Sequence, residues 1–493
     1  MSPGTRTRKL AAVDLGATSG RVMLAEVGPD LLQIREVTRF ANGPLPIWNG
    51  HRTALHWDVP GLFAHIREGL AAAGRDAGDL AAIGIDSWAV DYGLLRDGRL
   101  LGLPYHYRDD RNNDGVSAVH SAIDPADLYT RNGLQFLPFN TVYQLMAEKQ
   151  AGTLDLADHA LLVPDLIGYW LTGEMATERT NASTTGLLGA DGRWDDELQR
   201  ILGLPTGLFP GLIEPASQLG TLLPDIASGL GLSSSVSVNA VASHDTASAV
   251  VAVPMRPESS AYISCGTWGL VGVELTSWVT DPAARVANFT NEVGADGRIR
   301  FLRNVMGLWL LSESVRQWER AGATIDLAEL LDQAAAAAPP AELFDTDDPE
   351  FLSPGDMPGR IAHWYAARGL PAPGGPAQMV RAILESLAGA FARRVHEAAS
   401  LSGTAVETVH LVGGGARNRL LCQLTADRLG MPVLAGPVEA TAIGNVLITA
   451  RAQNLIADDL ESARAMVAAT FPPERYEPRT TASDRNDFVG VSQ

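Results

Sequence analysis

Two stretches of this chain open alike, and that repetition limits the fold more than any other feature. Leu10 to Leu15 is an apolar run that predicts a strand, Gly16-Ala17-Thr18-Ser19-Gly20 a tight turn, and Arg21 to Val27 the returning strand of a hairpin. Past Pro254 the order repeats as Ala261 to Ser264, the turn Cys265-Gly266-Thr267-Trp268-Gly269, and Leu270 to Leu275. Two such hairpins, each opening a half-chain of similar size, predict a duplicated α/β domain. Either turn alone is compatible with an ordinary glycine hairpin. As a pair they suit one polyphosphate, because small residues let backbone N–H groups close around phosphate oxygens. Asp14 enters the first turn, where a carboxylate can hold magnesium through water.

Between the halves lies Val238 to Val250, V-N-A-V-A-S-H-D-T-A-S-A-V. The β-branched run Val236 to Ala242 predicts a buried strand that ends in Ser243-His244-Asp245-Thr246 before a small-residue helix. Open α/β sheets place their chemistry at carboxyl strand ends. Asp245 there is either a proton acceptor or simply the cap of the following helix.

The remaining chain predicts a helix at Gly61 to Ala73 capped by Asp58, and a strand at Leu80 to Asp86. Further strands are expected at Val90 to Leu95 and Arg99 to Tyr105, joined by an Asp97-Gly98 turn. Asp86, Trp88 and Asp91 cluster at a strand end, as a sugar-contacting Trp and acids or as a core Trp beside a capping Asp. Tyr107 to Arg111 reads as a solvated charged loop, Gln135 to Asn140 as a pocket wall or a helix staple, and Thr180 to Thr185 as a polar strand or loop. Helices are expected at Thr141 to Glu148, Leu161 to Leu171, Ser312 to Arg320 and Pro376 to Ala398. Val409 to Val412 runs into Gly413-Gly414-Gly415-Ala416-Arg417-Asn418 and a helix over Arg419 to Leu429, leaving room for a flat ligand or a phosphate against the backbone. The small-residue helix begun by Glu439 to Asn445 suits close packing at a domain hinge, and the proline-containing stretch from Phe471 reads as a polar tail.

Composition closes off several functions. With Lys+Arg 38 against Asp+Glu 57, a net charge of -19 repels nucleic acid and anionic membrane surfaces. Cys265 and Cys422 stand far apart, so neither a disulfide framework nor a cysteine zinc site is expected, and a reducing cytoplasm fits. The basic start, Arg6, Arg8 and Lys9, leads into an apolar stretch that Asp14 interrupts, which is neither a signal peptide nor a membrane span. Lys9 and Lys149 are the two lysines, and neither stands in a Walker or protein-kinase motif. If the chain handles ATP, backbone amides and magnesium must carry the phosphate charge. No oligomeric state follows from these features.

Taken together, D-L-G-A-T-S-G-R, I-S-C-G-T-W-G, L-V-G-G-G-A-R-N and E-A-T-A-I-G-N resemble the two phosphate loops, adenosine loop and hinge helix of the FGGY carbohydrate kinases. That family belongs to the actin-like ATPase superfamily, and the resemblance covers about residues 8 to 470. It implies two duplicated ribonuclease H-like α/β domains with ATP and Mg2+ in the cleft between them. The expected division is residues 1–252 for the sugar and first phosphate loop, 253–470 for the nucleotide, and 471–493 as tail. The longer strings A-V-D-L-G-A-T-S-G-R-V-M-L, Q-F-L-P-F-N-T-V-Y-Q-L, A-S-H-D-T-A-S-A-V and R-N-V-M-G-L-W-L-L resemble one branch of the family. That branch transfers the ATP γ-phosphate to the 1-hydroxyl of L-rhamnulose.

Carried over by position, Asp245 is the general base, with His244, Thr246 and Asn304 as sugar contacts. Ala17, Thr18, Ser19, Gly20, Arg21, Thr267 and Gly414 hold nucleotide. Two positions depart from the branch: Ala89 stands where it has a sugar-contacting Gly, and Ser312 where it has a nucleotide-contacting Gln. The alternatives are another ketose (L-fuculose, L-ribulose or D-xylulose) and an actin-like ATPase or sugar sensor that phosphorylates nothing.

Overall fold

A computed structural model describes residues 7–479 of the chain. Contacts divide it into two compact units. The first holds the chain up to Ala252 together with Leu275–Phe301 and Ala440–Thr470, and the second holds Val253–Glu274, Leu302–Glu439 and the chain from Phe471.

The sheet of the first unit is built from β1 (Arg8–Leu15), β2 (Ser19–Gly28), β3 (Leu31–Ala41), β4 (Leu80–Ser87), β5 (Gln218–Thr221) and β6 (Ser237–Asn239), in the order β5-β6-β4-β1-β2-β3. The hairpin β1–β2 is antiparallel, whereas β4 runs parallel to β1 and β6 parallel to β4. Three neighbouring strands therefore end on one edge. Helix α1 (Val59–Ala77) packs on β2 and β3, with the Asp58 carboxylate accepting from the Gly61 N–H at its start. Helix α2 (Asp245–Val251) follows β6 after five further residues. The anticipated strand from Val236 is thus short, because Val241 and Ala242 are buried outside the ladder.

In the second unit β7 (Ser260–Cys265) and β8 (Trp268–Leu275) form the repeated hairpin. Strand β9 (Thr290–Val293) belongs to the first unit, and β10 (Ile299–Met306) carries the chain back across the division at Phe301. Helices α3 (Trp309–Arg320) and α4 (Pro376–Ser402) follow. Next come β11 (Thr408–Val412), α5 (Arg419–Leu429), β12 (Val433–Ala435) and, past residue 471, β13 (Glu474–Tyr476). Strand β11 pairs parallel to β7, as β4 does to β1, so the duplication read from two turns extends to the sheet around each.

Helix α6 (Ala440–Ala452) returns to the first unit, where it packs on α2, β1 and β4. Its small residues make that approach possible: a Cβ on Gly444 would overlap the carbonyl of Ser248 in α2, and one on Gly84 of β4 would overlap Asn445 and Thr449.

Four expectations need correction. Thr180 to Thr185 is not a strand but opens in a helical turn, Arg179–Ala182, because the Glu178 carboxylate accepts the Thr180 and Asn181 N–H groups. Tyr107 to Arg111 is not a solvated loop. Asp109 is buried against Arg52 and the Leu55 N–H, and Arg111 pairs with Glu148 at 2.7 Å while covering the Tyr105 ring. The run Arg99 to Tyr105 holds a strand only at Arg99–Leu100. The polar stretch from Phe471 contains β13, paired antiparallel with β12, while residues 480–493 lie outside the described residues, as does Arg6.

Candidate active site

Asp14 is the last residue but one of β1, and its register partner on β4 is Asp86. The Ser87 N–H donates to the Ser243 carbonyl at 2.9 Å, bringing the turn Ser243-His244-Asp245 to the same edge of the sheet. Three carboxylates from separate parts of the chain thus gather at the carboxyl ends of adjacent parallel strands. One cation accompanies them: Arg21, opposite Asp14 across the hairpin, donates from Nε and Nη2 to Asp14 Oδ2 at 2.9 and 2.6 Å. Asp86 is fully buried; its Oδ2 accepts from Asn445 Nδ2 at 2.7 Å and its Oδ1 has no hydrogen-bond partner. Burial, then the negative charge of Asp14, holds the Asp86 carboxyl well above the usual range.

Asp245 is the first residue of α2, not its cap; the cap position belongs to His244, whose side chain makes no capping bond. The Asp245 side chain keeps 30% of its surface, and Oδ1 accepts from Thr246 Oγ1 at 3.1 Å. Loss of solvation raises its pKa, His244 works against that shift, and Asp14 adds to it. A partly exposed carboxylate poised upward is suited to accept a proton.

The first turn, Gly16 to Thr18, is pinned by the Gly16 N–H to the Ser19 carbonyl and by Asn42, which donates to the Gly16 carbonyl at 2.8 Å. Ala17 and Ser19 are half-buried and Thr18 is exposed; Gly20 lies against Phe40, where a Cβ would not fit.

In the second unit the Thr267 carbonyl accepts from the Gly307 and Trp309 N–H groups, tying the second turn to the start of α3. Ser312 is exposed on the first turn of that helix. Gly413 to Gly415 packs on Cys265: a Cβ at Gly415 would overlap the thiol and one at Gly413 the carbonyl, so glycine lets this turn lie beside the turn that begins at Cys265. Gly414 is exposed there. Thr267, Ser312 and Gly414 are therefore grouped in the second unit, and half-buried Asn304 stands on β10 in that same unit. Ala89, His244 and Thr246 are in the first.

Trp88 and Asp91 fall on the core side of the two readings. Asp91 Oδ2 accepts from Trp57 Nε1, Trp88 Nε1 and the Tyr107 N–H, and Oδ1 from Gln144. Half-buried Ala89 sits between Trp88 and Val90, whose φ of 68° is unusual for a β-branched residue. The Val90 carbonyl accepts from Thr141 Oγ1 at 2.7 Å, which holds that conformation. Gln135 is buried and Phe136 exposed at the start of helix Thr141–Ala151.

Sequence reasoning passed over Glu178, Glu292 and Arg300. Glu178 holds the turn before His244, and Glu292 and Arg300 lie against the His244 ring. No spacing pattern links these positions.

Family models match the chain over most of its length: the FGGY family of carbohydrate kinases, N-terminal domain, at residues 10–252, and the C-terminal domain of the same family at residues 261–453. A rhamnulokinase from Bacteroides thetaiotaomicron is 40% identical over 476 residues, covering 96% of each chain. One from Pectobacterium carotovorum is 40% identical over 489 residues, 98% of this chain and 95% of its own. Among solved structures, a ligand-bound xylulose kinase from Lactobacillus acidophilus superposes with a TM-score of 0.75 at 18% identity over 98% of this chain and 95% of its own. Plasmodium falciparum glycerol kinase with ADP gives 0.76 at 14% identity, over 98% and 96%. These likenesses establish the actin-like ATPase fold. With two matching domain models and relatives aligned nearly end to end, the chain belongs to the FGGY family of carbohydrate kinases and is a sugar kinase that uses ATP.

Proposed function

We propose that this kinase transfers the γ-phosphate of ATP to the 1-hydroxyl of L-rhamnulose, in the breakdown of L-rhamnose in the cytoplasm. The observation that carries the reading is the 40% identity to chains named rhamnulokinase over 96% of the sequence, with Asp245 at the strand edge where the acceptor must lose its proton. Residues 1–252 supply most of the sugar site and the first phosphate turn, and residues 253–470 the nucleotide site. His244, Thr246, Asn304 and Ala89 contact the sugar, while Ala17 to Arg21, Thr267, Ser312 and Gly414 contact the nucleotide.

As the sugar oxygen bonds to phosphorus, its proton passes to Asp245 and the bond from phosphorus to the departing ADP oxygen breaks. Backbone N–H groups of the two turns and the Arg21 guanidinium receive the phosphate charge, consistent with the scarcity of lysine. Among the described residues there is no group of three or more His, Cys, Asp or Glu that could hold a metal ion, and Asp14 would meet magnesium arriving with ATP through water. When bound, magnesium supplies charge neutralisation between the phosphates. No described helix is long and apolar enough to cross a membrane.

ADP release measured over a ketose panel tests the proposal. Release should depend on an added ketose, with L-rhamnulose best. Equal turnover on D-xylulose, or turnover without sugar, overturns it.

A further inference from the structure

Arg300 is a fully buried cation on β10 whose Nε and Nη2 hydrogens are accounted for, while Nη1 meets no partner. Nε and Nη2 donate to the Val293 carbonyl at 3.3 and 3.2 Å, and Nη2 also donates to His244 Nδ1 at 3.1 Å. A guanidinium has no lone pair to offer, so in that bond Nδ1 must be the acceptor. A neutral imidazole that accepts on one nitrogen carries its hydrogen on the other.

Glu292 offers the competing arrangement, since its Oε2 lies 3.2 Å from His244 Nδ1 and 3.0 Å from Arg300 Nη2. Yet Oε2 meets no donor in hydrogen-bond geometry, because the two Nη2 hydrogens are directed at Nδ1 and at the Val293 carbonyl. Glu292 therefore acts as the counter-charge of Arg300. Burial alone would raise its pKa, but Arg300, the largest opposing influence, holds it below the usual range.

On the other side of the ring, His244 Nε2 stands 3.4 Å from Asp245 Oδ1, the same oxygen that accepts from Thr246. We infer that Arg300 fixes His244 as the neutral Nε2–H tautomer, which donates toward Asp245 Oδ1 and so turns the other carboxylate oxygen to the acceptor hydroxyl. The inference rests on Asp245 being the base. Arg300 is a positioning residue: it acts through the ring and touches neither substrate. In the opposite tautomer Nε2 has no hydrogen to give, and Asp245 Oδ1 loses that donor. His244 gives up no proton in the reaction; the proton lost by the sugar goes to Asp245.

The test is 15N NMR of the full-length protein labelled at histidine, with the His244 signals identified by their loss in His244→Asn. At neutral pH the wild type should show His244 protonated on Nε2 alone. Protonation on Nδ1, or on both nitrogens, overturns the inference whatever Arg300→Lys does. Arg300→Lys retains the charge beside Glu292 but not the planar fork. Once shown to be folded by its thermal transition, it should mix the tautomers and lower kcat on the ketose by about 10- to 100-fold, the usual range for groups that orient an active residue, with KM for ATP unchanged. A folded Arg300→Lys with wild-type tautomer and kcat also overturns it. Failure of L-rhamnulose as substrate would sink the proposed function while leaving the NMR result standing.

Discussion

Glu178 accepts both the N–H and the hydroxyl of Ser243, at 2.9 and 2.8 Å, from 65 residues away in the chain. The same Oε2 takes the Thr180 hydroxyl at 2.6 Å, and Oε1 takes the Thr180 N–H at 2.8 Å. A single buried carboxylate thereby caps one short helix and holds the turn that leads into His244 and Asp245. Glu178→Gln keeps the shape but must put an amide nitrogen where an oxygen now accepts a backbone N–H. One buried donor is then left facing another, a loss of about 1–3 kcal/mol. Chemical unfolding should show that loss, and steady-state kinetics should show a lower kcat on the ketose with KM for ATP unchanged. A variant with unaltered kcat would mean that the Ser243 turn holds its position without Glu178.

Asp165 supplies a pH dependence that can be measured apart from catalysis. It is buried, its Oδ1 accepts the Glu178 N–H at 3.2 Å, and its Oδ2 has no partner. Burial first, then the charge of Glu178, pushes its carboxyl well above the usual range. The group is an acid whose folded pKa exceeds its unfolded one, so ionisation opposes folding. Its contribution to stability is complete below about pH 4, the ordinary aspartate value, and is lost as the pH rises toward the folded pKa. Asp165→Asn cannot ionise. Its melting temperature should gain on that of the wild type as the pH is raised from acid to neutral; parallel curves would show that Asp165 is already ionised in the fold.

Ala89→Gly probes the departure from the family pattern. If the Ala89 methyl group limits the approach of the sugar, its removal should lower KM for L-rhamnulose or widen the set of accepted ketoses, without moving KM for ATP. Val90, at φ 68°, and its bond to Thr141 keep the backbone in place, so the methyl group is the main thing removed. A change confined to ATP would return Ala89 to plain packing.

What could be read in the sequence was local. The turn after Asp14, the three glycines after Val412 and the small residues around Gly444 each impose a backbone demand that side-chain identity reveals, and the hairpins and helices built on them are present as expected. Strand β3 escaped notice because R-E-V-T-R is half-exposed on the edge of the sheet and lacks an apolar run. Tyr107 to Arg111 misled for the opposite reason: its charges are compensated by Arg52 and Glu148, which lie about 40 to 60 residues away and carry no pattern. The same distance hides Glu178, Glu292 and Arg300. Their importance comes from burial beside His244 and Ser243, and burial is a property of the fold.

The two strand-end acids Asp14 and Asp245 should fail in different ways. A sugar hydroxyl is too weak an acid to ionise at neutral pH, so its proton must be taken as the O–P bond forms, and a positioned base contributes about 10²- to 10⁴-fold. Asp245, partly exposed and raised in pKa, is suited to that step, whereas Asp14 on β1 is bound to Arg21 on β2. Asp245→Asn keeps the size of the side chain and can still accept from Thr246, but it cannot take the proton. ATP and sugar should bind almost normally while kcat collapses, the pattern of an interaction made only in the transition state. If Asp14 orients the water shell of magnesium, Asp14→Asn removes that charge and weakens the hold on Arg21. It should raise the magnesium concentration needed for half-maximal rate, and added magnesium should restore part of the activity. Rates measured across a magnesium titration for both variants separate the roles. Recovery of Asp245→Asn by magnesium, or retention of more than about a tenth of kcat, less than a general base supplies, would remove Asp245 from the proton transfer.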